Sequence, residues 1–213
     1  MQKDIVIIGT GGFAKEVLFL LEENNKIKNE WNILGFIDHG VAVGTNVIYD
    51  YTVIGDDTWL QNYPSELNVA CAVANAIIKK KIIAKFSEYA HLLFPVIVSH
   101  KVIYSDLVTI GRGSIICAGS ILTVNITIGE FVIINLDTTI GHDTLIGDFV
   151  TIYPGARVSG NVRIGTLSEV GTGTQIIQGV SIGEHAILGA GSVVIREIPS
   201  ECTAVGNPAR VIK

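Results

Sequence analysis

Thr139-Ile140-Gly141-His142-Asp143-Thr144-Leu145-Ile146-Gly147-Asp148-Phe149-Val150-Thr151-Ile152 carries an aliphatic residue at Ile140, Ile146 and Ile152, every sixth position. Followed outward, the register holds from Val98 to the hexad beginning at Val194. These are 17 consecutive hexads, with 16 aliphatic first residues and one tyrosine, Tyr104. The fifth position is small or β-branched throughout, as at Val102, Thr144, Val150 and Ile198. A period of six held this long belongs to neither a helix nor a simple strand; it marks a repeat architecture. Each hexad reads as a short strand and a turn, and three hexads close one triangular coil. The first position points into the prism and the fifth fills the corner, where bulk would clash. Ile110-Gly111, Ile128-Gly129, Ile146-Gly147, Ile164-Gly165 and Ile182-Gly183 recur at every third hexad and support the coil. Glycine at this place is expected to relax the turn. The period alone leaves the hand of the coil open, right-handed crossovers being the general rule for parallel strands.

Upstream of this array the pattern is different. Asp4–Ile8 is a short β-branched run followed by Gly9-Thr10-Gly11-Gly12, and Phe13–Glu23 reads as a helix with Val17, Leu18 and Leu21 on one face. Ile33–Ile37 reads as a second strand ending at Asp38, Leu67–Val73 as a third, and Ala76–Phe86 as another helix. Alternating strand and helix predicts a small parallel sheet covered by helices. The expected organisation is therefore mixed: a Rossmann-like α/β domain over residues 1–95, then a parallel β-helix of hexapeptide repeats over 96–213.

Hydrophobic residues make up 48% of the chain and charged residues 16%, which favours a sizeable core over disorder. The net charge is −5 and no dense basic run occurs, so nucleic acid is not an expected partner. Lys79-Lys80-Lys81 reads as a solvated helix face. Cys71, Cys117 and Cys202 form no C-x-x-C pair and read as small apolar residues in a reducing cytoplasm. No apolar run has the length of a signal peptide's core or a membrane span. A cytoplasmic protein is expected.

Gly9, Gly11 and Ala14 satisfy G-x-G-x-x-G/A, with Asp38 ending the next strand, the pattern that cradles dinucleotide phosphates. The unit lacks a second β-α-β half, so the loop reads better as a backbone cradle for other phosphates than as an NAD site. A tight turn without a ligand is the plain alternative, as a solvated surface residue is for Lys15. His142 stands at the third position of its hexad, outside the prism. His100 shares that position and His185 occupies the fourth, so exposure alone does not single out a catalyst.

The hexads, closing with Ala204-Val205-Gly206-Asn207-Pro208-Ala209-Arg210, resemble those of the hexapeptide-repeat acyltransferases. With the glycine-rich N-terminal unit, the chain resembles their sialic-acid O-acetyltransferase-like group of sugar acyltransferases. That group includes bacterial enzymes that N-acetylate nucleotide-linked amino sugars. The resemblance implies a left-handed coil and a homotrimer with acetyl-CoA along the groove between prisms. It also implies a nucleotide-sugar held largely by the N-terminal domain, for which the glycine-rich loop offers Gly9, Gly11, Gly12 and Asp38; no metal is expected. The matching site residues are Asn135, His142, Asp143 and Gly160. His142 stands where the family has its general base, Asp143 where it has the following acidic residue, and Asn135 is placed with the substrate. Gly160 stands where a backbone N–H meets the thioester carbonyl. Thr151 occupies a place where many relatives carry a second histidine, so contacts around the acyl group are expected to differ. Gly171 and Gly189 offer room for the pantetheine arm, against the plain reading of repeat glycines, and Arg210, with Arg196 and Lys213, offers charge for CoA phosphates.

Spacing agrees independently. His142 and Gly160 are three hexads apart, one above the other on adjacent coils separated by about 4.8 Å. A base and an oxyanion donor need that closeness. The leading expectation is acetyl transfer from acetyl-CoA to the amine of a nucleotide-linked sugar. The alternatives are O-acetylation of a sugar such as sialic acid and a non-catalytic β-helix scaffold. A zinc enzyme of the carbonic-anhydrase type needs three converging histidines, and His100, His142 and His185 do not share a face at coil spacing.

Overall fold

A computed structural model describes residues 2–213. The chain forms two compact units, one comprising the chain up to Ala74 with Ile78–Pro95, the other Asn75–Ile77 with Val96–Lys213.

In the first unit, β1 (Lys3–Ile8), α1 (Gly12–Ile27), β2 (Trp31–Ile37), β3 (Asn46–Ile48), β4 (Tyr51–Gly55), α2 (Asp57–Gln61), β5 (Leu67–Cys71), α3 (Ala76–Phe86) and β6 (Leu92–Leu93) follow in order. The sheet runs β3-β4-β2-β1-β5-β6 and is parallel except where β3 meets β4. β1 is central because Ile5, Val6 and Ile7 are fully buried, a continuous apolar run that only a strand covered on both faces tolerates. Val17, Leu18 and Leu21 of α1 are buried, as their helical spacing predicts. The sequence reading passed over β3, β4 and α2. The chain from Asn46 to Gln61 is a tight hairpin and a short helix, each too brief to show a period. Asp56 caps α2, accepting from the amides of Thr58 and Trp59. The lysine triplet does not form one solvated face: Lys80 and Lys81 are exposed, but Lys79 is 1% exposed, because successive helix positions turn by about 100°.

The second unit is the predicted prism. Its strands stack into three sheets along the coil axis, parallel except where the closing strand Arg210–Val211 meets Thr203–Val205, with pairings such as Ile116↔Ile134, Leu122↔Ile140 and Ile128↔Ile146 offset by three hexads. The first face carries Ile133–Ile134 and Thr151–Ile152, the second Thr139–Ile140 and Arg157–Val158, the third Leu145–Ile146 and Arg163–Ile164. First-position residues from Ile116 to Val194 form one buried aliphatic column with the fifth-position Val132, Val150, Ala156 and Val162. Tyr104 is 50% exposed because it lies in the first coil, which has no coil beneath it.

Two features of the coil go beyond its period. Fifth-position hydroxyls other than that of Ser192 are enclosed yet bonded: Ser114 Oγ donates to Gly129 O (2.9 Å), Ser168 Oγ to Gly183 O (2.7 Å) and Thr174 Oγ1 to Gly189 O (3.2 Å). Each satisfies a corner carbonyl in the next coil, which explains Ser and Thr alternating there with Val and Ala. The recurring Ile-Gly glycines do not relax the turn as expected, since none has a positive φ. They are glycine for space: a Cβ on Gly111 would lie 2.5 Å from the Gly129 backbone, and one on Gly165 2.5 Å from Glu184 N. The left-handed conformation falls instead at the fourth position, at Asn125, Phe131, Asp143, Phe149, Asn161 and Leu167.

Candidate active site

His142 and Asp143 occupy the turn that carries the chain from the second face to the third, after Ile140 and before Leu145. Asp143 adopts φ +59°, a conformation that short polar residues tolerate better than most, and its amide donates to Val124 O (3.1 Å) in the coil below. This backbone turn brings neighbouring side chains together: His142 Nδ1 lies 2.7 Å from Asp143 Oδ2. A carboxylate only accepts, so Nδ1 carries the proton and the lone pair resides on Nε2. The carboxyl of Asp143 is held below its ordinary range, first by the bond from His142 and then by one from Asn125. The imidazole is half exposed, at 51%, on the outside of the prism.

The opposite edge of the imidazole rests on Gly160. A Cβ on that glycine would lie 2.4 Å from Nε2, 2.6 Å from Cε1 and 2.8 Å from Cδ2 of His142, so the ring occupies the space a side chain would take. Asn161 N and Gly179 N bond to His142 O and Gly160 O respectively, tying three successive coils together. Among the described residues no acceptor within the chain faces the Gly160 N–H. Gly160 is buried, its nitrogen packed against Gly141 of the coil below, and its Cα side meets the imidazole of His142 directly.

The other expected site residues are not gathered around His142. Asn135 lies in the turn from the first face to the second, a different edge of the prism, in line with Gly171 and Gly189. It is 5% exposed, and its Oδ1 accepts from Leu136 N (2.7 Å). Thr151 stands on the first face and is fully enclosed, so its hydroxyl presents no surface to an acyl group within one chain. Gly171 and Gly189 have packing reasons to be glycine: a Cβ would meet Leu188 O at 2.5 Å in one case and Val205 Cγ1 at 2.6 Å in the other. Arg210 is exposed in the closing strand, with Nη1 donating to Ala209 O (3.1 Å).

The glycine-rich loop is built in the first unit. Gly9 takes φ +102°, open to glycine at little cost, and its amide donates to Ile37 O (2.9 Å). Thr10, placed just before the helix, does not cap α1; its hydroxyl donates to Asp38 Oδ2 (2.8 Å). Gly11 is the cap residue and offers no side chain, and no acidic residue stands in the first turn. The first amides of α1 therefore keep their partial positive charge for an anion. A Cβ on Gly11 or Gly12 would meet nothing within 4 Å, so the space in front of the loop is open. Asp38 also accepts from Gly40 N (2.9 Å), which makes it an organiser of the loop. Beside it lies a cavity of about 170 Å³ lined by Gly9, Ile37, Asp38, His39, Ile82 and Lys85, among others. His39, Asp57 and Lys85 were not singled out from the sequence. The Lys85–Asp57 ion pair (2.7 Å) joins two helices distant in the chain, with no motif between them to announce it. Among the described residues no group of three or more His, Cys, Asp or Glu side chains is arranged to hold a metal, and no helix is long and apolar enough to cross a membrane.

The PglD N-terminal domain family matches residues 4–86. No curated protein gives a significant sequence match. Among solved structures, the acetyltransferase domain of PglB from Neisseria gonorrhoeae in complex with acetyl coenzyme A is 31% identical with a TM-score of 0.89, covering 100% of both chains. WeeI from Acinetobacter baumannii is 33% identical with a TM-score of 0.88, covering 99% of this chain and 100% of that one. PerB from Caulobacter crescentus, in complex with CoA and GDP-perosamine, is 28% identical with a TM-score of 0.87, covering 99% of this chain and 97% of that one.

Proposed function

The chain belongs to the hexapeptide-repeat sugar acetyltransferase family of the PglB acetyltransferase domain and PerB, and on that premise we propose that it transfers the acetyl group of acetyl-CoA to the amino group of a nucleotide-linked sugar, with His142 as general base. One observation carries the reading: His142 is bonded through Nδ1 to Asp143 and turns Nε2 onto Gly160 of the adjacent coil. In the reaction, the substrate amine attacks the thioester carbonyl carbon, and the C–N bond forms as the carbonyl electron pair moves onto oxygen. His142 Nε2 takes the proton that the nitrogen sheds, and Asp143 stabilises the imidazolium. The Gly160 amide stabilises the oxyanion. Collapse breaks the C–S bond, and the CoA thiolate leaves and is protonated from the imidazolium.

The nucleotide's phosphates belong at the uncapped start of α1, over Gly11 and Gly12, with Gly9 and Asp38 holding the loop in shape. Asn135 serves the site from a second copy of the chain, because it and His142 occupy different edges of one prism. Exposed apolar side chains support a homotrimer: Ile121, Val124 and Leu145 surround the His142 edge, and Leu136 stands beside Asn135. The test is release of free thiol from acetyl-CoA against a panel of nucleotide-linked amino sugars, with light scattering alongside. Turnover by a trimer of the 22.8 kDa chain is expected. An active monomer overturns the shared site, and absence of thiol release with every amino sugar overturns the substrate class.

A further inference from the structure

Asp143 uses both carboxylate oxygens. Oδ2 faces His142 Nδ1, and Oδ1 accepts a bond of 3.2 Å from Asn125 Nδ2, one coil below. Asn125 and Asp143 are three hexads apart, hold the same turn position and share a left-handed backbone, φ +55° and +59°. The fold itself does not ask for an amide there. Phe131, Phe149 and Leu167 take the same conformation at corresponding positions on another edge. Asp143 is 52% exposed at its side chain, so apart from these two bonds its carboxylate is free to rotate into solvent and release the imidazole. Among the described residues, His142 is the one titratable group acting on the Asp143 carboxyl, and Val124, Gly160 and Asn161, its neighbours on this edge, are neutral.

We propose that Asn125 is a positioning residue: its amide fixes the plane of the Asp143 carboxylate, and through it the orientation and tautomer of His142. The proposal rests on His142 being the general base. A carboxylate anchored at one oxygen keeps the other directed at Nδ1, so the imidazole is held ready in the free enzyme. With that anchor gone, Asp143 spends less time on His142, the imidazolium is less stabilised, and the base is found less often in its productive orientation.

The test compares Asn125→Gly, Asn125→Asp and His142→Ala as full-length proteins. Glycine removes the amide yet accepts the left-handed backbone without strain, so folding is preserved. Asn125→Gly is expected to lower kcat about fivefold, the worth of roughly one net hydrogen bond, with KM for both substrates and thermal stability nearly unchanged. The acidic limb of kcat/KM is expected to move to lower pH. Asn125→Asp sets a second carboxylate beside the first and should move the limb to higher pH. A limb left in place by both Asn125 variants, while His142→Ala abolishes it, overturns the positioning role alone. A limb that survives in His142→Ala overturns the general-base reading and the positioning role with it.

Discussion

Gly160→Ala tests whether the seat of His142 matters as much as its chemistry. The new Cβ would lie 2.4 Å from His142 Nε2, and ordinary van der Waals contact begins at 3.4 Å, so the ring must retreat by about 1 Å (3.4 − 2.4). Gly160 has no positive φ, so alanine introduces no backbone strain. The neighbour that yields is a half-exposed side chain, not backbone, so the retreat costs little stability. It is expensive for turnover, because a misplacement of about 1 Å at a reacting group costs about 10²-fold in rate. We therefore expect Gly160→Ala to melt with wild type and to lose about 10²-fold in kcat. Steady-state thiol release, run as a double-mutant cycle with His142→Ala, locates the cause. If alanine acts by displacing the imidazole, it adds nothing in the His142→Ala background. If kcat of Gly160→Ala stays within about twofold of wild type, or the two losses multiply in full, the reasoning fails.

Three further outcomes follow from other parts of the molecule. His142→Ala should lower kcat by about 10²–10⁴-fold and leave the oligomeric state as in wild type, since the ring packs outside the prism. The acidic limb of kcat/KM should vanish in that variant, because Asp143 is held below its ordinary range and stays ionised where histidines titrate. Gly11→Val should raise KM for the nucleotide-sugar and leave acetyl-CoA binding nearly unchanged, because the new side chain enters only the open space before α1; equal weakening of both ligands would argue for a purely structural loop. Among the corner hydroxyls, Ser168→Ala should destabilise by about 1–2 kcal/mol in chemical denaturation, leaving Gly183 O and Ala186 N unpartnered, whereas Ser192→Ala should be neutral or stabilising, because Ser192 Oγ is buried without a partner.

The prism was legible because its contacts are written into the sequence at one fixed interval. Where three hexads close a coil, positions three hexads apart are vertical neighbours, and so His142 and Gly160 were predicted together and are found together. Adjacency in sequence likewise announced the pair His142 and Asp143, though its 2.7 Å contact needs the left-handed turn at Asp143. The same interval links Asn125 to Asp143, but an asparagine at a repeat corner is an ordinary turn residue until its amide is seen to meet a carboxylate. Asn135 and His142 are close in the chain, yet they stand at successive corners with one face of the prism between them, and the sheet order shows that a single chain does not bring them together. Nor does a residue's type disclose its burial or its reason: Thr151 is enclosed, Lys79 is buried beside exposed lysines, and the Ile-Gly glycines serve close approach and not φ. In the N-terminal unit, Gly9 to Asp38 was readable from a motif spanning one β-α-β step. His39, Asp57 and Lys85 were not, because a parallel sheet gathers its cavity from the ends of strands and helices far apart in the chain, where the sequence has no period to count.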